Sequence, residues 1–415
     1  MIQAAGWLEL PPEHPFGLAA LPYGSYTAAQ EGGTYRVGVA IGDHVLDLTT
    51  ASERLLPARA HLFRPGSLDG FLAAGELAWT HVRENVTRWL SDEEYRPAIE
   101  DLLVPAADVS LRLPFAVADF VDFYASENHA ANAGRMFRPG AEPLPPNWKH
   151  LPIGYHGRAS SVIVSGTAVR RPWGQSRPPG ADSPSFGPSA RLDFEAELGF
   201  VVGARSELGH PVPASRFAEH VFGVCLVNDW SARDIQSFET VPLGPFLGKS
   251  FATTVSPWVL PLAALQHARL RPPSADAALQ SYLVETADWG LDIDFEVRLN
   301  GHVISRPPFA TMFWSPAQML AHLTVNGAAV RPGDVYASGT VSGPELAQRG
   351  SLIELSWNGT EPIALPDGTS RSWLQDTDEL TITATAPGPD GVRIGLGSAT
   401  GTIRPALAQV PGGQY

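Results

Sequence analysis

Four side chains of different chemistry crowd one short stretch, D-F-V-D-F-Y-A-S-E-N-H-A-A-N-A-G-R-M-F-R, between Asp119 and Arg138. Asp122 offers a carboxylate, Tyr124 a phenol, His129 an imidazole and Arg138 a guanidinium, with mostly small residues around them. A hard-cation ligand, a proton acceptor and an anion clamp could all come from this one segment.

More carboxylates follow in L-D-F-E-A-E-L-G-F-V-V, residues 192 to 202. Read as a strand, the segment points Phe194, Ala196, Leu198 and Phe200 to the core and crowds Asp193, Glu195 and Glu197 on the other face. Two glutamates about 7 Å apart on one face repel unless a cation neutralises them. The plain alternative is a solvated face. The run V-F-G-V-C-L-V-N-D-W-S-A-R-D-I-Q reads as a buried strand ending at Asp229. A helix after it would align Asp229, Arg233, Gln236 and Thr240. Alternatively Asp229 caps that helix and Arg233 is its surface partner.

The stretch P-L-G-P-F-L-G-K-S-F-A-T-T superficially suggests a phosphate loop, but Gly244 and Gly248 enclose three residues where that motif needs four. Pro245 also removes a backbone donor. The nucleotide reading fails, leaving Lys249 as a cation for an oxyanion and Thr253 as a hydroxyl ligand, or Lys249 as a surface residue. Further on, A-S-G-T reads as a tight turn presenting Thr340. G-S-L-I-E-L-S-W reads as a strand with Glu354 on the face opposite Ile353, Leu355 and Trp357, where a lone carboxylate is ordinarily exposed. No nucleophile elbow, zinc motif or cysteine pair occurs. The remaining all-oxygen ligands suit Ca²⁺ or Mg²⁺.

The elements that must position these groups follow from composition and patterning. A chain of 415 residues suggests two domains, and 44% hydrophobic with 17% charged residues indicates a packed globular protein. Forty glycines and 38 prolines favour a mainly β, α+β architecture of short strands and turns. A net charge of −14 argues against nucleic acid or an anionic membrane as partner, so an anion would need a local basic pocket. Cys225, the single cysteine, reads as a buried hydrophobe and fits a reducing, cytoplasmic setting. No early stretch has the layout of a signal peptide, and no run reaches membrane-spanning length. Gly42-Asp43 signals a hairpin, and Leu72, Val82, Val86 and Leu90 predict one helical face. A domain boundary is expected near Val109 to Ala118. The Pro/Gly/Ser-rich stretch Arg170 to Ser189 reads as a surface loop or flap, and Arg271 to Ser281 as a second loop.

Taken together, these motifs resemble the fumarylacetoacetase family. The likeness rests on D-F-V-D-F-Y, N-W-K-H-L-P-I-G-Y-H-G-R-A-S-S-V-I-V-S-G-T, L-D-F-E-A-E-L, N-D-W-S-A-R-D-I-Q and P-L-G-P-F-L-G-K-S-F-A-T-T-V-S-P-W-V. It continues through R-P-G-D-V-Y-A-S-G-T-V-S-G-P-E and G-S-L-I-E-L-S-W-N-G-T and includes the N-terminal L-P-Y-G. It implies an SH3-like β-barrel over residues 1–115 and a fumarylacetoacetase-type β-roll over 116–415. It also implies hydrolysis of a carbon–carbon bond of 4-fumarylacetoacetate to fumarate and acetoacetate, the last step of tyrosine and phenylalanine catabolism.

The residue roles come from the same resemblance. Asp122, Glu195, Glu197 and Asp229 are the implied metal ligands, with Lys249 and Thr253 associated with Mg²⁺, although a protonated lysine cannot ligate. His129, oriented by Glu354, is the implied general base. Lys249, Arg233 and Gln236 are implied to stabilise the oxyanion and the departing enolate. Tyr124, Arg138, Gln236, Thr240 and Thr340 are the implied contacts to a dianionic diketo acid. Thr240 stands where the family usually has a tyrosine, so another acylpyruvate or β-diketo acid is the alternative substrate. A non-catalytic cation-binding role is hard to square with His129, Glu354 and Lys249 together. A homodimer is also implied.

Overall fold

Gly42 and Asp43 turn the chain between the strands Arg36–Ile41 and His44–Asp47, as the hairpin signal predicts. Gly42 adopts φ +53°, a conformation that favours glycine. The computed structural model describes residues 7–408 apart from 9, 12–13, 29–32 and 179. The outermost residues of the two expected domains, 1–6 and 409–415, lie outside the described residues, as does Pro179 of the expected flap.

The strands from this hairpin join a long sheet. Its path runs Leu103–Pro105, His44–Asp47, Arg36–Ile41, Tyr23–Ala28, Trp258–Pro261, Val221–Asp229, Ala196–Val202, Asp334–Ala337, Asp119–Phe123, Gly154–His156. A second sheet holds His302–Ser305, Asp294–Leu299, Glu379–Pro387, Arg393–Arg404 and Val169–Arg170. The architecture is mostly β with α. Among the described residues no sheet closes into a barrel, and the N-terminal strands continue into the main sheet through Tyr23–Ala28 and Trp258–Pro261.

Alternation along the central strands explains where the core sits. Leu198, Phe200, Val224 and Leu226 pack with Phe295, Ile382 and Leu396 of the second sheet. Val201, Phe222, Cys225 and Val227 face the opposite way, onto Phe71, Trp79, Val82 and Val86. Both sheet faces are therefore covered, which is why Val221–Asp229 is an unbroken buried run. In that setting burial pushes the Cys225 thiol up to about 12, so it packs as a hydrophobe.

Several local readings are corrected. The single helix expected from Leu72 to Leu90 is two, Asp69–Ala73 and Glu76–Ser91, separated at Gly75 with φ +79°; all four predicted face residues are nevertheless buried. Residues 192 to 202 are not one strand with a wet face. Leu192–Asp193 pairs with Ser231–Ala232, Glu195 bridges Ser351, and Ala196–Val202 follows, with every residue buried. The helix after Val221–Asp229 begins at Arg233, so Asp229 ends a strand and does not cap the helix. G-S-L-I-E-L forms a helical turn, Leu352–Leu355, with Glu354 fully buried. Asp193 explains that turn, because its carboxylate accepts from the amides of Leu352 and Ile353. The flap from Arg170 to Ser189 contains a hairpin, Trp173–Ser176 with Ser185–Pro188. The loop from Arg271 to Ser281 holds one short helical turn, Pro273–Asp276. No helix among the described residues is long and apolar enough to cross a membrane.

Candidate active site

The strand Asp119–Phe123 runs parallel to Asp334–Ala337, with Asp122 opposite Ala337, and antiparallel to Gly154–His156, with Asp122 opposite Tyr155. Beyond it Ser126 caps the helix Glu127–Phe137, its hydroxyl accepting from the His129 amide. That cap puts His129 in the first turn, pointing at a residue far along the chain. His129 Nδ1 lies 2.6 Å from Glu354 Oε2. Asn132, one turn along the helix, donates to Glu354 Oε1 at 2.9 Å, and Ser342 and Ser351 donate to Oε2, each at 2.8 Å. Burial alone would raise the Glu354 carboxyl, but the His129 charge and these hydrogen bonds hold it at about 2. A permanent carboxylate on Nδ1 keeps the proton there and leaves Nε2 to accept one. The Tyr124 ring meets the imidazole edge-on, with centroids 5.3 Å apart.

Beside this pair lies a cluster of buried carboxylates. Ligand atoms of Asp122, Glu195 and Glu197 fall within 4.8 Å of one another. Their partners differ sharply. Glu195 accepts from Arg233 Nη2 at 2.7 Å and from the Lys249 ammonium. Burial would raise its pKa, yet Lys249 and Arg233 drive it well below the carboxylate range. Asp122 Oδ1 and both Glu197 oxygens are buried without a hydrogen-bond partner. Burial and neighbouring carboxylates, Asp229 first for Asp122 and Asp122 first for Glu197, push both well above it. Asp229 accepts from Thr253 Oγ1 at 2.7 Å and Tyr155 at 2.9 Å, with Lys249 Nζ at 3.3 Å. Burial raises it too.

The charge balance indicates what the cluster can hold. Asp122, Asp193, Glu195, Glu197 and Asp229 are five buried carboxylates against two cations, Arg233 and Lys249, an excess of three negative charges. Orphaned carboxylate oxygens in an all-oxygen set fit a hard divalent cation. Lys249 is not a surface residue: it is buried, and although burial would lower its pKa, Glu195 and Asp229 raise it. Here Lys249 pairs with Glu195 and Asp229 as an ammonium, which offers no lone pair while it stays protonated.

Of the remaining expected residues, Arg233 is held by Asp193 at 2.8 Å and donates through Nη1 to Gln236 Oε1 at 3.1 Å. The Thr340 hydroxyl is buried without a partner. The preceding Gly339 has φ +74°, and a Cβ there would lie 2.1 Å from the Phe123 carbonyl oxygen, so glycine lets this turn close on the Asp122 strand. Two residues stand further out. Arg138 is exposed at the helix end and donates to Pro143 O at 2.7 Å, a bond using one of its five donors. Thr240 turns its hydroxyl back onto Gln236 O at 2.6 Å, within its own helix. Asp193, Tyr155, Asn132, Ser342 and Ser351 were not singled out from the sequence as site residues. Asn132 could have been found from its place one turn after His129, whereas the others owe their roles to contacts with residues distant in sequence or set by the local fold.

Comparison with known proteins shows which family the chain belongs to. The fumarylacetoacetate (FAA) hydrolase C-terminal model matches residues 119–404, and the fumarylacetoacetase N-terminal model matches 19–114. Fumarylacetoacetase of Rattus norvegicus is 44% identical over 411 residues, 95% of this chain and 97% of the rat protein. The chain belongs to the fumarylacetoacetase family. The Arabidopsis thaliana relative is likewise 44% identical over 409 residues, 94% of this chain and 96% of that protein. The family fold recurs in a solved fumarylacetoacetate hydrolase from Exiguobacterium antarcticum, with TM-score 0.53 and 17% identity, covering 93% of this chain and all of that one.

Proposed function

We propose that this member of the fumarylacetoacetase family is a hydrolase that cleaves the carbon–carbon bond of 4-fumarylacetoacetate with water, giving fumarate and acetoacetate as the last step of tyrosine and phenylalanine catabolism. The observation that carries the reading is the buried His129–Glu354 pair set against the Asp122, Glu195 and Glu197 cluster. His129 Nε2 takes the proton of a water, and the resulting hydroxide attacks the carbonyl next to the fumaryl group. Glu354 holds the imidazole and stabilises its charge once the proton arrives; after the carbon–carbon bond breaks, that proton goes to the enolate carbon, giving acetoacetate and restoring neutral His129. A divalent cation, Ca²⁺ or Mg²⁺, held by Asp122, Glu195, Glu197 and Asp229, with Thr253 behind Asp229, would supply Lewis acidity toward the diketone oxygens. Gln236 gives its carbonyl to Arg233, which turns its amide N–H outward as a donor. That amide, with Lys249 and Arg233, answers the negative charge on the oxyanion and the departing enolate. Tyr124, Arg138 and Thr340 contact the substrate's carboxylates and oxygens. Thr240 offers it a methyl group, because its hydroxyl is engaged.

Near-full-length likeness to fumarylacetoacetases does not favour the acylpyruvate alternative. We also infer an SH3-like unit over residues 1–115 and a β-roll over 116–415, a homodimer, and a cytoplasmic location, in keeping with the family and the buried lone cysteine. Limited proteolysis near residue 115 and sedimentation test the first two. The activity itself is tested by spectrophotometric loss of fumarylacetoacetate with and without a chelator. Chelator-sensitive turnover is expected, and a wild-type protein inert toward fumarylacetoacetate with every divalent cation would sink the assignment.

A further inference from the structure

Behind the carboxylate cluster, on the Tyr155 side, a cleft of about 150 Å³ reaches the surface. Its floor includes Asp229, Lys249 and Thr253, and its rim includes Arg158 and Phe246. We propose that this cleft is a second carboxylate subsite, with Arg158 positioning the end of the substrate that Arg138 does not hold. The proposal rests on the fumarylacetoacetate reading given above.

The site is short of cations for the ends of the substrate. The substrate has a carboxylate at each end and the diketone between them. With the diketone at the cluster, the two ends must leave it on different sides. The two buried cations are assigned to the oxyanion and enolate at the centre and are paired besides, Arg233 with Asp193 and Glu195 and Lys249 with Glu195 and Asp229, so neither serves as a clamp for an end. Arg138 lies with Tyr124 and His129 on one side: the charges acting on Tyr124 are those of Glu354, Glu195, Arg233 and Arg138. The charges acting on Tyr155 are those of Asp229, Asp122, Glu195 and Glu197. Tyr124 meets His129 edge-on whereas Tyr155 donates to Asp229, and only the Tyr124 side has an assigned cation for a carboxylate.

Arg158 meets the need on the other side. It is exposed and forms no ion pair among the described residues. Its guanidinium carbon sits 5.8 Å from the Phe246 ring centroid, within cation–π range. The backbone around Phe246 is held, because Glu239 Oε1 accepts from the Phe246 amide at 2.8 Å and the Gly248 amide at 2.7 Å. A planar, permanently charged fork thus lines the cleft beside the ring, and such a fork suits bidentate capture of a carboxylate.

Binding read by titration calorimetry tests this without depending on turnover. The probes are a stable β-diketone with a carboxylate at each end and its two analogues, each lacking one of them. Arg158→Ala should weaken the full probe by roughly 10- to 100-fold, the scale of a charged hydrogen-bonded contact. It should weaken just one analogue to the same degree, with Arg158→Lys recovering part of the loss. Arg138→Ala should weaken the other analogue. Unchanged binding in Arg158→Ala, equal losses on both analogues, or the same analogue affected by both arginine variants would overturn the subsite. A wild-type protein that discriminates the probes in this pattern yet leaves fumarylacetoacetate uncleaved would sink the reaction assignment and keep the subsite.

Discussion

Glu354 and Glu197 are the same residue type, both fully buried, yet their surroundings drive their protonation in opposite directions. Glu354 accepts from His129, Asn132, Ser342 and Ser351 and stays ionised down to about pH 2. Neither Glu197 oxygen has a partner, and its neighbours are carboxylates. Burial therefore does not decide a carboxyl group's charge; the number of donors within reach does. On one side of the site the carboxylate is satisfied by donors within the protein, whereas on the other it belongs to a cluster that could hold a cation supplied from outside.

The largest effect should come from the satisfied side. His129→Ala is expected to lower kcat by roughly 10²- to 10⁴-fold, the contribution of a positioned general base. Circular dichroism should show the fold retained, and a loss under about threefold would remove His129 from that role. Glu354→Gln should give a smaller fall in kcat, because the neutral amide still positions the ring but no longer stabilises its charge.

Stability against pH should separate the two sides. Glu354 titrates at about 2 in the folded protein against an ordinary 4.5, so the stability it contributes is present above 4.5 and lost as pH falls toward 2. Asp122 and Glu197 behave oppositely once the cation is chelated. Their folded-state pKa values lie above the ordinary 3.8 and 4.5, so the folded protein binds protons that the unfolded chain has released. Stability then falls as pH rises from those values, and a saturating divalent cation should abolish the fall. Thermal melts from pH 4 to 8 with and without chelator read this directly, and superimposable curves would erase the proposed difference between the sides.

Tyr155→Phe removes the hydroxyl that donates to Asp229. Weakening of the cation by about 10-fold is expected, typical of support behind a ligand, measured by competition with a metal indicator. The smallest change should follow Thr240→Val. It deletes a hydroxyl bonded within its own helix, so stability should shift by about 1 kcal/mol and KM by less than about threefold.

The sequence exposed the chemistry of the site better than its scaffold. Asp122 and His129 share one motif, and their side-chain types already pointed to a cation and a proton. Alternation alone groups Asp193 with Glu195 and Glu197 on one face, either gathered round a cation or solvated, and gives no hint of its partners. Its real partners, Arg233 and the amides of Leu352 and Ile353, lie about 40 and 160 positions away, beyond any local pattern. The turn bearing Glu354 is four residues long, too short for helical and strand periodicities to be told apart, and the capping carboxylate that favours the helix comes from elsewhere. The two covered faces of the central sheet were legible as an apolar run, but the N-terminal strands' continuity with it was not.

His129 and Glu354 are 225 positions apart, and Asp122 lies on a strand whose parallel neighbour, Asp334–Ala337, also comes late in the chain. Closing such long loops is slow and entropically costly, so these contacts belong to the end of folding. During synthesis the carboxylates near Glu195 emerge well before Glu354, the residue proposed to orient the base. A chain interrupted before Glu354 should therefore be able to display cation ligands but not a poised imidazole, and activity should arise in a single late step. Refolding followed in parallel by tryptophan fluorescence and by turnover should show the fluorescence recovering first.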